Sequence, residues 1–418
     1  MKSVYDSVRA CGMDVHYKFT TVTMRDGDDH IVRRERLDHG DRSKLREQLS
    51  HWPRGVPMVM EASFGWGWLA DLMIELGLNP QLSNCFKVEA MRKLRGGVKT
   101  NEKDADLLSS MPLEKEPWWK VWLSPPEVRD LREQMRHRSS LVAIQTETKN
   151  RISAVFHRHG IIHEFSDLFG VGGRKFLDEL SRQGRIGEVV LLSGALSALR
   201  GLLALLSFVR GMLAQIQREL RRQLDRSDVI RRLDGIPGIG LILSHAILAE
   251  IGMIGRFRSH RALANYCLLA PIADDTGEDD GSKPIGRHIG KRGNLALKWA
   301  MIEAARGAVK TGGKWRRIFD AATDGGQKNR NRGYIKVARE LAKVVFIVLS
   351  RNVEYTDNPP ARPGSHNAPV PAAGPHSARV RGDDAGPQPR SPRTRMKKFL
   401  SSTRSGTGQP LRPMAAVR

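Results

Sequence analysis

Cysteine is scarce in this chain: Cys11, Cys85 and Cys267 are the only three among 418 residues. An odd number so widely spaced excludes a disulfide framework and a cysteine-based zinc site, and it suits a protein kept in a reducing cytosol. Aromatic residues are also few, at 6%. Long apolar runs are missing. The best candidate, 189–209, has Arg200 at its centre and Arg210 directly behind it, which leaves too few uncharged residues on either side to span a bilayer. No charged leader followed by an apolar stretch opens the sequence, so no secretory signal is expected. Acidic residues are nearly absent from 359–418, where two face eleven basic ones.

What the chain has in excess is positive charge. Lys and Arg number 69 against 45 Asp and Glu, for a net charge of +24 and a pI near 10.4. The excess is uneven: residues 1–110 carry +1, 111–358 carry +14 and 359–418 carry +9. A basic surface of this size calls for a polyanion, and without a membrane-seeking helix the expected partner is nucleic acid. The expected location is the cytoplasm, on the nucleoid.

At about 150 residues per domain the length suggests two or three domains. Residues 1–111 read as α/β. A Val-, Thr-, Tyr- and Phe-rich run over 10–24 is broken at Arg25-Asp26-Gly27-Asp28-Asp29, which makes it one arm of a hairpin ending near Leu37. Helices are predicted over 41–49, over 66–76 with a stop at Gly77, and from Asn101 to 111; short strands are predicted over 56–60 and within 78–88. Strands separated by helices give a mixed sheet. A Pro- and Trp-rich stretch, 112–125, reads as a boundary, and Trp118, Trp119 and Trp122 in it suit either base stacking or docking of the linker. Long Arg-rich helices over 126–157 and 187–232 follow, forming a helical, coiled-coil-like arm or an ordinary helical core. The arm closes a segment at 112–232. A mostly helical block, 233–356, comes next, and 357–418, with 11 of the 21 prolines between 359 and the end, is expected to be disordered.

Three acidic features stand at the ends of predicted elements. Asp14 follows Cys11-Gly12-Met13 in the first strand, Glu61 ends the strand Val56-Pro57-Met58-Val59-Met60, and Lys99-Thr100-Asn101-Glu102-Lys103-Asp104-Ala105-Asp106 opens a helix. Residues three apart share a helical face, so Asn101 and Asp104 point together while Glu102 is rotated by about 100°. Carboxylates gathered from two strands and a helix suit hard divalent cations, which take oxygen ligands. The plainer reading is a set of solvated caps, with Asp104 and Asp106 complementing a helix N-terminus. His157, His159 and His163 have a spacing that hints at metal, but solvated surface histidines are the commoner meaning.

The order Gly12-Met13-Asp14-Val15-His16, Met60-Glu61-Ala62-Ser63-Phe64 and Lys99-Thr100-Asn101-Glu102-Lys103-Asp104-Ala105 resembles the RuvC-like domain of the insertion-sequence transposases called the IS-one-ten family. The later run Leu233-Asp234-Gly235-Ile236-Pro237-Gly238-Ile239-Gly240, with Ala249-Glu250-Ile251-Gly252 and Arg256-Phe257, resembles the second domain of that family. The resemblance covers roughly 10–350. It implies an RNase H-like fold and a DEDD carboxylate set binding Mg²⁺ or Mn²⁺. It further implies a serine in the second domain that attacks DNA, a guide RNA in at least some members, and a dimer pairing into a tetramer.

Carried onto this chain, the carboxylate set is Asp14, Glu61 and Asp104, with Asn101 at the third position where the family has Asp; Glu102 is the alternate. An asparagine offers an oxygen but no charge. The expected nucleophile position, after Leu269-Ala270-Pro271, holds Thr276, with Ser282 as the alternate; by residue type alone, either is a turn hydroxyl in a Gly-rich loop. The turn at 235–240 resembles a helix-hairpin-helix, in which Gly238 and Gly240 would present backbone N–H groups to a phosphate. Packing alone is the other use of such a turn. Lys283, Arg287, His288, Lys291 and Arg292 could neutralise phosphates, and Lys314, Arg316, Arg317, Lys328, Arg330 and Arg332 extend the basic surface. The function expected is that of a DNA transposase or site-specific recombinase. The alternatives are a junction-resolvase-like nuclease with a water nucleophile, and a non-catalytic DNA- or RNA-binding relic.

Overall fold

The first sheet begins as an antiparallel meander: β1 (Ala10–Val15), β2 (Phe19–Arg25) and β3 (Ile31–Asp38). The run over 10–24 is therefore two strands and not one arm. His16 N–H donates to the Phe19 carbonyl at 2.9 Å and Tyr17 is exposed at the tip, so the chain reverses without a glycine or proline to announce it. The computed structural model from which this is read describes residues 5–95, 100–272, 288–289 and 293–357.

Helix α1 (Arg42–Ser50) starts at Asp41, whose carboxylate accepts from Ser43 N and Lys44 N. Such a cap satisfies donors that the first helical turn leaves open. Strand β4 (Pro57–Glu61), helix α2 (Trp66–Glu75) and strand β5 (Asn79–Ser83) follow, with β4 parallel to both β1 and β5. Two helices come next, α3 (Cys85–Leu94), which the sequence reading did not anticipate, and α4 (Asn101–Ser110), capped by Thr100. Strand β6 (Lys120–Val121) then adds antiparallel to β5, giving the order β3-β2-β1-β4-β5-β6.

The two faces of this sheet separate by alternation. Cys11, Met13, Met58 and Met60 point towards α1 and α2, where they meet Leu45, Leu49, Leu69 and Met73; all eight are closed to solvent. Each side chain so buried contributes roughly 1.5–3 kcal/mol. On the opposite face Val59 packs with Val88, Leu107, Leu108, Met111 and Trp119 beneath α3 and α4. Trp119 is 2% exposed and donates its indole N–H to the Met111 carbonyl at 2.8 Å. The expected boundary at 112 is thus corrected: the sheet runs on to Val121.

Helices α5 (Pro126–His159) and α7 (Ser193–Arg226) have 34 residues each, about 51 Å of helix. They lie antiparallel, since Met135 and Leu220 share one core while Ile152, Phe156, Leu199 and Leu206 share another. The far end is closed by α6 (Val171–Gln183) and a hairpin of β7 (Arg185–Ile186) and β8 (Val189–Val190), so the helix expected from 187 begins only at Ser193. By length and composition α7 is apolar enough to cross a membrane, which goes beyond the sequence reading. Two of its arginines are nevertheless engaged by backbone carbonyls: Arg200 donates to that of Ser181 at 2.7 Å and Arg210 to that of Phe169 at 3.1 Å.

The second block holds α8 (Asp228–Asp234), α9 (Leu241–Ile251), α10 (His260–Tyr266), the short pair β9 (Pro271–Ile272) and β10 (His288–Ile289), α11 (Leu295–Lys310), α12 (Gly313–Thr323) and α13 (Arg330–Arg351). Ile247, Leu297, Ala304, Leu341 and Val345 are at its centre, fully buried. Residues as far as Asp357 form one compact unit.

Candidate active site

The register of β1 on β4 decides where the first two carboxylates go. Met13 pairs with Met60 across the parallel ladder, so Asp14 and Glu61, each one residue further, come side by side at the ends of adjacent strands, Glu61 last in β4 and Asp14 next to last in β1. Both are two residues on from a position facing α4: Asp14 follows Gly12 and Glu61 follows Val59, and residues two apart share a face of a strand. Gly12 is required there. A Cβ on it would overlap the Ala105 carbonyl and the Ser109 amide and lie 2.7 Å from the carbonyl carbon of Leu108. Helix α4 therefore rests with its backbone directly on β1. Asp104, 4% exposed, is on the buried side of that helix.

Each carboxylate has a cationic or polar neighbour. His16 Nε2 is 2.8 Å from Asp14 Oδ2. Arg92, from α3, donates through Nε to Asp104 Oδ1 at 2.6 Å, and its Nη2 lies 3.9 Å from Glu61 Oε2. A charge-assisted bond of that length to a buried acid is among the stronger contacts a protein makes. Burial first, and then the charge of Glu61, push the Cys85 thiol up to about 11, so this cysteine stays protonated at neutral pH. Asn101 and Glu102 are exposed on the first turn of α4, while Lys99 lies outside the described residues.

Asp14, Glu61 and Asp104 do not form a ready three-donor cluster. Among the described residues the group whose donor atoms all lie within 4.8 Å of one another is Asp26, Asp28 and His30. Its compactness has a local origin, because Asp26 Oδ1 accepts from Asp28 N at 3.0 Å and from His30 N at 2.9 Å in the β2–β3 turn. In the carboxylate set a guanidinium stands where a cation would be wanted. The donor chemistry nonetheless fits a hard divalent ion: three acidic side chains, partly or wholly sheltered, two on one sheet face and one on the helix covering it. Asp106, two residues after Asp104, does something else: it accepts from Thr23 Oγ1 at 2.7 Å and from Arg34 Nη2 at 2.9 Å, fastening α4 to β2 and β3.

In the second block, the turn between α8 and α9 is fixed by packing. Gly238 has φ +84°, and a Cβ there would overlap the Ala304 carbonyl and come within 3.0 Å of Ala308 Cα on α11. Gly240 is different: it is exposed, at the start of α9, and a Cβ on it would meet nothing within 4 Å. Thr276, Ser282, Lys283, Arg287, Lys291 and Arg292 lie outside the described residues. The ends of their loop are described. Ile272 pairs with His288, and Pro271 with Ile289.

Beyond the loop, Asn294 caps α11 and donates through Nδ2 to Glu250 Oε2 at 2.7 Å. Glu250 also faces Arg132 of α5 at 3.8 Å, and Arg132 donates to the Ala249 carbonyl at 2.8 Å. Trp122 completes this joint, its ring lying against Gly252 and beneath the guanidinium groups of Arg132 and Arg256. The tryptophans 119 and 122 thus serve docking. Of the histidine trio, His163 packs against the rings of Phe156 and Phe165. Arg316 and Lys328 are exposed and paired with Asp320 and Asp324. Sequence reasoning missed Arg92 as a partner of the carboxylates and Arg132 as a partner of Glu250, since neither has a local spacing that marks it.

The same two regions match known families. A DEDD-type transposase model of the IS110 group matches residues 11–160, and the model described as Transposase IS116/IS110/IS902 family matches residues 230–320. The chain belongs to the IS110 family of transposases. Among its relatives, the "Transposase for insertion sequence element IS1111A" of Coxiella burnetii (strain RSA 493 / Nine Mile phase I) is 24% identical over 236 residues, 55% of this chain and 61% of that one. The "Putative transposase y4qE" of Sinorhizobium fredii (strain NBRC 101917 / NGR234) is 25% identical over 214 residues, 51% of this chain and 49% of that one. The match therefore spans less than two thirds of either relative's length. The first matched region holds the six-stranded sheet from Cys11 onward and α5, and the second holds the Gly238 turn, Glu250 and Thr276.

Proposed function

We propose that this chain is a DNA transposase, a site-specific recombinase of a mobile insertion sequence that cuts and exchanges strands through a covalent protein–DNA link. The observation that carries the reading is the pairing of Met13 with Met60, which sets Asp14 and Glu61 side by side on the face that α4 covers with Asp104. A strand order of 3-2-1-4-5, antiparallel through β1 and parallel from β1 to β5, supports an RNase H/RuvC-like fold for this part. The net charge of +24 supports a nucleic-acid partner.

Asp14, Glu61 and Asp104 would hold Mg²⁺ or Mn²⁺, with the amide oxygen of Asn101 as a fourth, uncharged donor. A divalent ion in such a set supplies neutralisation and orientation of phosphate oxygens. His16 fixes the rotamer of Asp14 from one side. Thr276 acts as nucleophile: its Oγ forms a bond to phosphorus, the bond from phosphorus to the 3′-oxygen breaks, and the hydroxyl proton ends on that leaving oxygen. The product is a 5′-phosphothreonine and a free 3′-hydroxyl. Lys283, Arg287, Lys291 and Arg292 neutralise the phosphates flanking the cut, and the N–H of Gly240 opens α9 towards the DNA backbone. The two matched regions act within a dimer or tetramer, guided by a structured RNA encoded beside the gene, on the nucleoid in the cytoplasm.

Labelled DNA carrying the ends of the element, incubated with the full chain and Mg²⁺, tests this directly. A covalent adduct is expected from the native protein, and none from Thr276→Ala or Asp14→Asn. Cleavage with no adduct at any time point would mean a water nucleophile and would sink the recombinase reading. Binding with no cleavage under Mg²⁺ or Mn²⁺ would mark a relic.

A further inference from the structure

Arg92 has no part in the DEDD pattern, yet it stands in the middle of the carboxylate set. Its Nε is committed to Asp104 at 2.6 Å. Its Nη2 is sealed from solvent, stops 3.9 Å from Glu61 and makes no hydrogen bond. The strongest arginine–carboxylate pairing places the fork on one carboxylate with two parallel bonds. Here the guanidinium is instead split between two acids on different elements, α4 and β4, and one of its buried donors is unsatisfied. A buried donor in that state is costly, and its persistence needs a reason.

We propose that Arg92 is a resident counter-cation of the carboxylate site: it neutralises Asp104 and Glu61 in the metal-free chain, and a divalent ion must displace it to bind. The proposal rests on the reading of Asp14, Glu61 and Asp104 as metal ligands. Acids brought this close in a sheltered place need positive charge nearby, or one of them protonates. In the protein alone the guanidinium is that charge. A divalent ion carries twice as much and accepts oxygen donors in several directions at once, which the single Nε contact to Asp104 cannot match. The half-made contact to Glu61 makes the exchange easy. Arg92 is also 21% exposed. With Asn101 in place of an acid, the site has one negative charge fewer with which to outbid its own arginine, so metal binding in this chain is held back by Arg92 more than it would be with four carboxylates.

The experiment is calorimetric titration of Mn²⁺ into the purified full chain without DNA, at fixed pH and ionic strength, beside Arg92→Gln and Asp104→Asn. Arg92→Gln is expected to bind Mn²⁺ at least about tenfold more tightly than the native protein, because a unit charge next to the site is removed. It is also expected to melt at a lower temperature in EDTA and to recover when Mn²⁺ is added, since the buried Asp104 then has the ion as its only counter-charge. Asp104→Asn weakens binding. If the native chain binds Mn²⁺ and Arg92→Gln binds equally or less tightly, Arg92 is a fixed part of the fold and the proposal fails alone. If neither folded protein takes up Mn²⁺, the metal reading fails with it. Should Arg92→Gln not fold, Arg92→Lys carries the test: a lysine keeps one point contact and loses the reach to Glu61, so tighter binding is expected and unchanged or weaker binding overturns the proposal.

Discussion

Asn294 Oδ1 accepts from Leu297 N at 2.9 Å while its Nδ2 donates to Glu250 Oε2 at 2.7 Å. One amide thus starts α11 and ties it to the end of α9. Glu250 is 7% exposed and has Arg132 as its cationic neighbour. Glu250→Ala is expected to cost about 3 kcal/mol, the usual effect of stripping one partner from a buried charged pair. Glu250→Gln, which keeps an acceptor for Asn294, is expected to cost about 1 kcal/mol. Urea unfolding measures both, and an alanine variant as stable as the native chain would contradict the role.

Gly12→Ala tests the seating of α4 on β1. The added methyl would meet backbone of Ala105, Leu108 and Ser109, which cannot turn aside as a side chain could. The helix has to lift, at a cost of about 3 kcal/mol or more, and Asp104 moves with it. A lowered melting temperature together with loss of strand cleavage is expected; normal cleavage would mean that the close seating of α4 on β1 is not needed for the reaction.

Gly238 and Gly240 differ within one turn: Gly238 is held by packing, and Gly240 is open. Gly238→Ala is strained twice, by its φ of +84° and by Ala304 and Ala308, and should destabilise the chain by about 3 kcal/mol. Gly240→Ala has open space and a φ of −110°, so the melting temperature should hold. If the start of α9 meets a phosphate, Gly240→Ala weakens DNA binding several-fold at unchanged stability, and binding measured against salt concentration would read this.

Asp106 gives stability a pH dependence of known sign. Burial raises its carboxyl, but the hydrogen bonds from Arg34 and Thr23 and the charges of Arg34 and Arg25 outweigh that, and the net result lies below the usual carboxylate value. The stability it contributes is therefore present above the unfolded value of about 3.9 and is lost as pH falls through the lower, folded one. Asp106→Asn should cost about 1 kcal/mol at neutral pH, a difference that shrinks as pH falls below the unfolded value of about 3.9. A gap between variant and native chain that stays constant from pH 7 to pH 3 would refute the assignment.

Much of the first sheet is legible locally. Asp41 and Thr100 announce α1 and α4 through their side-chain oxygens, Gly77 follows α2, and the apolar run before Glu61 is β4. The reversal at Tyr17 is hidden because no turn-forming glycine or proline marks it. Helix α3 escaped notice since Val88 is its one buried residue, too little for a periodic signal. Strand β6 is two residues long and exists because Trp119 is buried beside Val59 and Leu107, a partnership made across the fold. The acids at 14, 61 and 104 follow from motif order, but their shared face depends on strand register, and Arg92 enters only when α3 and α4 are side by side. Propensity and spacing describe neighbours along the chain; these contacts join residues far apart in it.

The last strand of the sheet also limits how this protein could be recombined with its relatives. A cut at the Pro- and Trp-rich stretch around 112, where composition changes, would leave β6 and Trp119 with the wrong half, opening the edge of β5 and the floor beneath α4. A cut after Val121 would divide Trp122 from the strand it follows but keep it on Gly252, Arg132 and Arg256. The exchangeable unit therefore ends between Val121 and Trp122, and a swapped first module is compatible with a new host only where that host brings its own indole to the joint.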